Sequence, residues 1–396
     1  MRALCVALLV MLSATPAWAA GSDAALQSAL TTDLNNYLTA RAKIEHISTA
    51  SLSIDLGGTG PNINVAVGTM QYGGGKPVTP DNLFQIGSNT KAFTASIILQ
   101  LEAAGKLSID DPLGKFLPQY PAWKDVTIRH LLQMTSGIPS YDNTAAMMSA
   151  YAAHPTAKYS LAQLVNYVYP TTPGAPKPTT GYSYSNTNYL LAEMIIEKVT
   201  GNSYESEVKR RILTAIPVEN MYYSPNLYPP AVAIRTVSGY FWNHTPENKP
   251  LAPLLGKDQR LLSASWAQGA GGAVGSPEAM TVWARALYRS TAFLPAAQRA
   301  EMMSIVSLKT GKPIAVTSLA DPRGFGLGIA QLTTKETGTV WFYEGETLGY
   351  RMTHVYFPKK NVILDFGLNS QPDPNQDNVG KLVVTIYETL HAAGKM

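Results

Sequence analysis

The sequence has little of the residues that support thiol, disulfide or soft-metal chemistry. Its only cysteine among 396 residues is Cys5, which lies in an apolar N-terminal segment. We therefore expect neither a disulfide nor a catalytic thiol beyond that segment. The six histidines are scattered without a His-x-x-x-His pair, so no spacing supports a metal site. The sequence predicts no metal and no cofactor.

Charge is also sparse. Charged residues make up 15% of the chain, and its formal charge of +4 arises from 31 basic and 27 acidic residues without a block of lysine and arginine. This pattern argues against nucleic acid as a partner. The 45% content of hydrophobic residues is typical of a folded globular enzyme and excludes a disordered chain.

The longest early apolar run, residues 3–12, predicts a signal peptide and not a membrane anchor. Arg2 provides the positive start, and Ala17-Trp18-Ala19 provides a small-x-small cleavage site. A membrane-spanning helix needs about 20 apolar residues, so this run is too short. We expect a signal peptide at residues 1–20, no stable membrane anchor, and an exported protein that is periplasmic or secreted.

Strand patterns occur near both ends of the chain, and helical patterns fill the middle. The predicted strands are 50–56, 63–69, 326–332, 340–343, 352–357 and 362–368, and the predicted helices include 23–43, 127–134, 161–169, 187–200, 203–213 and 376–393. This order predicts an α+β fold in which an antiparallel sheet, flanked by helices, is built from both chain ends. Residues 21–109 and 257–396 would form the sheet domain, and residues 110–256 an inserted all-helical domain. The cleft between them is the expected active site.

The sequence motifs favour a serine nucleophile that is activated by a lysine. No serine lies in a Gly-x-Ser-x-Gly elbow, and no phosphate-binding glycine motif is present. A serine hydroxyl needs a nearby base, and Lys91 follows Ser88 by three residues on a predicted helix, which places both side chains on one face. The apolar helix around Lys91 would bury its amine and lower its pKa towards working pH.

Ser206 and Lys209 have the same spacing, so the spacing alone is weak evidence. They lie in a charge-laced helix whose polar face we expect to be solvated. Lysine there would keep its ordinary pKa. We therefore interpret Ser88 and Lys91 as the functional pair.

Several motifs, in their order along the chain, resemble those of a known enzyme family. Residues 84–93, Phe-Gln-Ile-Gly-Ser-Asn-Thr-Lys-Ala-Phe, resemble the first motif of the penicillin-recognising serine hydrolases. The resemblance is to the β-lactamase/DD-peptidase-like branch that includes class C β-lactamases, soluble serine DD-carboxypeptidases, and related esterases and D-aminopeptidases. Tyr184-Ser185-Asn186 is similar to the second motif and fits better than Tyr141-Asp142-Asn143. Residues 265–272, Ser-Trp-Ala-Gln-Gly-Ala-Gly-Gly, also resemble a segment of the soluble serine DD-carboxypeptidases.

By this resemblance, Tyr184 would share the base role with Lys91, acting beside a lysine cation, and Asn186 would orient the substrate and Lys91. The backbone N–H groups of Ser88 and Glu346 would form the oxyanion hole, and Trp266 would wall the pocket. Taken without the resemblance, Tyr184 has one lesser alternative, a core tyrosine ahead of a helix N-cap at Asn186, and Trp266 can equally be core packing.

The third motif departs from the family. Where relatives have Lys-Thr-Gly or His-x-Gly, this chain has Tyr343-Glu344-Gly345. The loss of a charged hydrogen bond to a substrate carboxylate costs roughly 1.5–3 kcal/mol. A carboxylate at roughly 4 Å from Glu344 or Glu346 would meet about 4 kcal/mol of repulsion at an effective dielectric of 20, unless both glutamates face solvent. Arg351 is the nearest replacement cation in the sequence.

The resemblance therefore implies a serine hydrolase that forms an acyl-enzyme on D-alanyl peptides, amides or esters, with a weakened demand for a free carboxylate. Two alternatives remain open. One is a promiscuous esterase or weak β-lactamase, and the other is a protein that binds penicillin or cell-wall fragments without turnover. The expected partners are a small peptide, amide or ester, with cell-wall fragments or β-lactams as further ligands.

Overall fold

The computed structural model describes residues 17–58, 60–224 and 226–396, with side chains from residue 24 onward. Residues 1–16 of the predicted signal peptide, including Cys5, lie outside the described residues, so the signal peptide stays a prediction. Among the described residues, no helix combines the length and the apolar character needed to span a membrane.

The strands and helices follow one another along the chain with short connections. The strands are β1 Thr49–Asp55, β2 Ile63–Gln71, β3 Gly74–Pro77, β4 Phe84–Gln85, β5 Met221–Tyr223, β6 Tyr240–Trp242, β7 Ala273–Gly275, β8 Ile305–Ser307, β9 Pro313–Ile314, β10 Arg323–Phe325, β11 Ala330–Thr334, β12 Gly338–Thr347, β13 Tyr350–Phe357, β14 Val362–Leu368 and β15 Ser370–Pro372. The α-helices are α1 Ala17–Glu45, α2 Thr90–Ala103, α3 Ile128–Leu132, α4 Ala145–Ala153, α5 Leu161–Asn166, α6 Thr187–Thr200, α7 Tyr204–Val208, α8 Pro230–Ala233, α9 Gln268–Gly271, α10 Pro277–Arg289, α11 Ala296–Met302 and α12 Val379–Ala392.

One large sheet joins the two ends of the chain. Its strand order is β3-β2-β1-β14-β13-β12-β11-β10-β8-β9, and neighbouring strands run antiparallel. The central pairing of β1 with β14 links the N-terminal hairpin to the C-terminal strands. The predicted α+β fold, with an antiparallel sheet built from both chain ends, is confirmed.

Helices cover both faces of this sheet. On one face, α1 and α12 pack on apolar side chains of β1, β13 and β14, such as Leu52, Val355 and Leu364. On the other face, α10 packs against β1 and β14, and α2 lies deeper in the larger core. Every residue of β14 is buried, as expected for a strand that is covered on both faces.

One strand that the sequence pattern predicts is wrong. The predicted strand at 326–332 is instead the turn and second strand of the β10–β11 hairpin, in which Arg323 pairs with Leu332. Gly326-Leu327-Gly328 forms the connection, as glycines inside a strand pattern often do. The stretch 110–256 contains α3 to α8 together with β5 and β6, which pair with β7 and β15 outside it. Its status as a separate domain stays a prediction.

Candidate active site

Ser88 lies in a tight turn between β4 and α2. Residues Gly87–Asn89 form a single 3-10 turn, and α2 begins at Thr90, two residues later than the sequence predicts. Asn89 fixes this turn to the sheet, because its side-chain amide donates to the carbonyl oxygens of Ile86 at 3.0 Å and Met352 at 2.7 Å. The nucleophile candidate is therefore held on a rigid support.

Lys91 reaches Ser88 from one helical turn away. Its Nζ atom lies 2.8 Å from Ser88 Oγ and donates to the carbonyl oxygen of Ala270 at 2.7 Å. The side chain is fully buried, and this burial lowers the pKa of the amine to about 7, although Asp142 opposes the shift. Burial disfavours the ammonium form, so a large fraction of Lys91 is a neutral amine at neutral pH.

Tyr184 approaches the same oxygen. Its phenol donates to Ser88 Oγ at 2.7 Å, and its oxygen lies 3.2 Å from that of Tyr343. Desolvation of the phenol raises the pKa of Tyr184, and its hydrogen bonds with Ser88 and Tyr343 only partly oppose this rise. The role of Tyr184 as a base beside a lysine cation stays a prediction. The pKa shifts favour a neutral Lys91 and a protonated Tyr184.

The two Tyr-x-Asn segments, residues 141–143 and 184–186, lie side by side but make different contacts. Tyr141 is fully buried and donates its hydroxyl to the carbonyl oxygen of Trp266. Asp142 lines the cavity at Ser88 and accepts a 2.6 Å hydrogen bond from the side chain of Asn186. The sequence interpretation missed Asp142, although it lies in the motif that was set aside.

Asn186 makes no hydrogen bond to Lys91 within the described residues. Its Nδ2 atom is bound to Asp142, and its backbone N–H donates to Ser140 Oγ at 2.8 Å. Its Oδ1 atom is buried and lacks a partner in the described part of the chain. Asn186 also lines the cavity, so the role in substrate orientation stays a prediction.

Strand β12 passes directly against the Ser88 turn. A Cβ atom on Gly345 would overlap the carbonyl oxygen of Ile86 and lie 2.6 Å from Asn89 Nδ2. A Cβ atom on Gly87 would lie 2.5–2.8 Å from backbone atoms of Glu346. Only glycine permits this approach, which brings the Glu346 backbone beside Ser88. The oxyanion role of the Ser88 and Glu346 N–H groups stays a prediction.

A cavity of about 1100 Å³ includes Ser88 and extends past β12, so that its lining comes from both faces of this strand, with Tyr343 on one face and Phe342 on the other. One part of its wall is aromatic, since the ring of Phe325 meets those of Tyr182, Tyr184 and Tyr343 at centroid distances of 5.7–6.4 Å. A second part is apolar and consists of Met147, Met148, Tyr151, Leu251 and Trp266. Trp266 is half-buried and both lines the cavity and packs against the core. The cavity can accommodate bulky apolar groups on a substrate.

Arg351 is not placed to bind substrate. Its side chain is 1% exposed and donates to Glu45 at 2.7 Å, to Asp377 at 2.5 Å and to the carbonyl oxygen of Ser370 at 2.9 Å. Because these acceptors use its charge inside the protein, the expectation of Arg351 as a replacement cation needs correction. The cations that do line the cavity, Arg323 and Lys381, were missed because they lie outside any motif.

The third-motif positions bring a tyrosine and two acids to the cavity. Tyr343 lines it on the Ser88 side of β12, and Glu344 and Glu346 line it on the opposite side. Glu344 is partly buried and Glu346 is exposed. Burial raises the pKa of Glu344 well above its usual range, and repulsion from Asp377 and Glu346 adds to the shift. No cation comes from the strand position where relatives carry one.

Comparisons with known proteins identify the family of this chain. A sequence model of the Beta-lactamase family matches residues 40–385. Penicillin-binding protein 4* of Bacillus subtilis strain 168 is 29% identical, with alignment over 75% of this chain and 63% of that protein. Penicillin-binding protein 4 of Amycolatopsis lactamdurans is 29% identical over 53% of each. The chain thus spans less than two thirds of the length of these curated relatives.

Solved structures extend the likeness to almost the whole chain. A D-stereospecific amidohydrolase from Streptomyces sp. is 25% identical with a TM-score of 0.72, covering 91% of this chain and 97% of that one. D-amino acid amidase from Ochrobactrum anthropi SV3 shares the fold, with a TM-score of 0.76, 21% identity and coverage of 94% and 99%. The chain belongs to the Beta-lactamase family.

Proposed function

We propose that this protein is a serine hydrolase that cleaves D-aminoacyl amides, esters and short peptides, including D-alanyl peptides, through an acyl-enzyme on Ser88, without requiring a free carboxylate on the substrate. One observation carries the proposal. Lys91 Nζ and Tyr184 OH both lie within 2.8 Å of Ser88 Oγ, at the cavity wall. A serine nucleophile needs a neighbouring group that accepts its proton, and the Lys91 amine and the Tyr184 phenol are both within hydrogen-bond distance of the Ser88 hydroxyl.

The pKa shifts of Lys91 and Tyr184 support one direction of proton transfer. Neutral Lys91 accepts the Ser88 proton while Ser88 Oγ attacks the substrate carbonyl, which forms the new C–O bond and a tetrahedral oxyanion. Tyr184 donates its proton to the leaving amine or alcohol as the scissile bond breaks, and the Lys91 ammonium returns a proton to Tyr184. The product is a Ser88 ester. Water then attacks this ester, and the protons move back by the same route.

The charge at the cavity supports the relaxed carboxylate requirement. Tyr343 is the third-motif side chain that reaches Ser88, whereas Glu344 and Glu346 alternate with it and point to the opposite face of β12. A substrate carboxylate beside Tyr343 gains no charged hydrogen bond, because a neutral phenol carries no positive charge. An amidated or esterified substrate has no such penalty. The name of the Streptomyces relative, a D-stereospecific amidohydrolase, is in keeping with such substrates.

Matched substrates test the proposal. We expect the purified protein to hydrolyse D-alanine amide, D-phenylalanine amide and a D-Ala-D-Ala peptide amide faster than their L counterparts. The same D-Ala-D-Ala peptide with a free carboxylate should have the higher KM. A preference for L substrates, or a strict requirement for the free carboxylate, would contradict the proposal. The Ser88→Ala variant gives the background rate.

The two alternatives give different results in the same panel. A promiscuous esterase would hydrolyse short acyl esters without stereochemical preference, and a weak β-lactamase would turn over nitrocefin. A binding protein without turnover would release one equivalent of product and then stop. Export to the periplasm or medium is part of the proposal, and N-terminal sequencing of the protein recovered from expressing cells would test cleavage after Ala19 or Ala20.

A further inference from the structure

A group of oxygen atoms lies on the face of β12 that points away from the nucleophile. Along a strand, alternate side chains point to opposite faces. Tyr343 and Gly345 face the Ser88 turn, so Glu344 and Glu346 face the layer of α1 and α12. There they meet Asp377, which lies two residues before the first residue of α12, Val379. Ligand oxygens of Glu344, Glu346 and Asp377 lie within 4.8 Å of one another.

Neutral oxygens complete this group. Thr353 is directly opposite Glu344 on β13 and on the same face, is fully buried, and leaves its hydroxyl without a hydrogen-bond partner in the described chain. Gln371 donates its amide N–H to Glu346 at 2.9 Å, while its own Oε1 atom is buried and without a partner among the described residues. A buried hydroxyl or amide oxygen without a partner is costly, so both point to a missing ligand.

Glu344 and Glu346 lack the ion pairs that the neighbouring charged residues form within the described residues. Arg351 pairs with Glu45 and Asp377, and Arg41 pairs with Glu45. Glu344 and Glu346 form no ion pair within the described residues, and the buried Oε1 atom of Glu344 has no hydrogen bond there either. Two acidic side chains therefore lack an ion-pair partner among the described residues, and a divalent cation would hold both in the carboxylate form.

We propose that Glu344, Glu346 and Asp377, with Thr353 and Gln371, bind a hard divalent cation of the Ca²⁺ class. The ligands are all oxygens and include no histidine or cysteine, which excludes a typical zinc set. Ca²⁺ accepts carboxylate and carbonyl oxygens at about 2.3–2.6 Å in irregular geometry, so its ligands can lie up to about 5 Å apart, as these do. Mg²⁺ demands a near-ideal octahedron, which ligands from three separate segments do not suit.

The position of this site means that a bound ion would affect the structure around the nucleophile. Glu346 would contact the ion through its side chain while its backbone lies beside Gly87 and the nucleophile. The ion would tie β12, β15 and the start of α12 together. The expectation from sequence that no metal is bound rested on the absence of histidine and cysteine spacing, which says nothing about oxygen ligands.

Calcium binding to the full chain tests the proposal directly. After treatment with chelator and desalting, the Ser88→Ala protein should bind about one Ca²⁺ by calorimetry, with a Kd on the order of 10⁻³ M or tighter. It should also melt at a higher temperature in Ca²⁺. Tb³⁺ in place of Ca²⁺ should show emission sensitised by the neighbouring aromatic rings. Because Ser88→Ala lacks the nucleophile, this result does not depend on the proposed function.

Variants decide whether the ion is at this place. Glu344→Gln should weaken Ca²⁺ binding on the order of tenfold or more, whereas Glu336→Gln, at an exposed glutamate before β12, should leave it unchanged. Glu344→Gln removes no hydrogen bond or ion pair within the described residues, and an unchanged circular dichroism spectrum verifies its fold. Absence of binding at millimolar Ca²⁺, or equal binding by Glu344→Gln and wild type, would overturn the proposal. It would also be overturned if Ca²⁺ did not bind and Glu344→Gln raised KM only for substrates with a free ammonium group.

Discussion

The phenol oxygens of Tyr184 and Tyr343 lie 3.2 Å apart, and Tyr184 in turn lies 2.7 Å from Ser88 Oγ. Tyr343 thus occupies the position from which relatives with a lysine or histidine would present a cation. A neutral phenol contributes a hydrogen bond to Tyr184 but no positive charge. The proton-handling group at Ser88 therefore consists of one amine and two phenols.

Removal of the Tyr343 hydroxyl should slow catalysis moderately. Tyr343→Phe deletes the hydrogen bond to Tyr184, and a bond of this kind contributes about 1 kcal/mol, so we expect kcat to fall about fivefold. Tyr182→Phe is the matched control, because Tyr182 lines the same cavity but makes no hydrogen bond to Tyr184 within the described residues. Equal effects of the two substitutions on kcat would show that the Tyr343 hydroxyl has no specific role.

The activity should depend on the proton state of Lys91. Its pKa is lowered to about 7 by burial, and the amine must be neutral to accept the Ser88 proton. We therefore expect kcat/KM to rise with pH and to level off above an apparent pKa near 7. Lys91→Arg should lose activity across this range, because arginine stays protonated. A rate that is flat from pH 5 to 9 in the wild type would contradict the role of Lys91 as base.

The same burial should make Lys91 a cost to stability. The shift from 10.5 to about 7 corresponds to a cost on the order of 5 kcal/mol. Between these pH values the unfolded chain holds the proton and the folded chain releases it, so wild-type stability rises with pH. Lys91→Met should therefore be inactive but more stable, most of all below pH 7. Urea unfolding at pH 6 and pH 9 measures this, and an equal stability difference at both values would contradict it.

Arg351 should matter for stability and not for substrate charge. Its loss leaves Glu45 and Asp377 without their buried partner, and breaking a buried ion pair costs about 3–5 kcal/mol. Arg351→Met should lower the free energy of unfolding by this amount without changing the ratio of KM values for free and amidated peptides. Arg323→Met, at an exposed cavity residue, should change stability little. A selective rise in KM for free carboxylates in Arg351→Met would restore the sequence interpretation.

The sequence was informative where local pattern and tertiary structure agree. Helix α6 at Thr187–Thr200 and strand β14 at Val362–Leu368 have the predicted bounds. Gly201 ends α6 in a left-handed conformation, and a largely apolar run defines β14. The Ser88–Lys91 spacing likewise places both groups together, since three residues on a helix fix their separation.

Contacts between distant segments could not be predicted in the same way. The sequence suggested Arg351 for substrate because it gives no sign that Glu45, about 300 residues earlier, reaches the same place. The proton states of Lys91 and Tyr184 depend on how deeply the fold buries each polar end. Asp142 was missed for the same reason, because only the packing of α6 against the Tyr141–Asn143 turn brings it to Asn186.

Intact-mass measurement after treatment with a fluorophosphonate probe tests the nucleophile most directly. The account predicts one adduct on the wild-type protein, located on the peptide that contains Ser88, and none on a folded Ser88→Ala protein. An adduct retained by Ser88→Ala would contradict the assignment of Ser88 as the nucleophile.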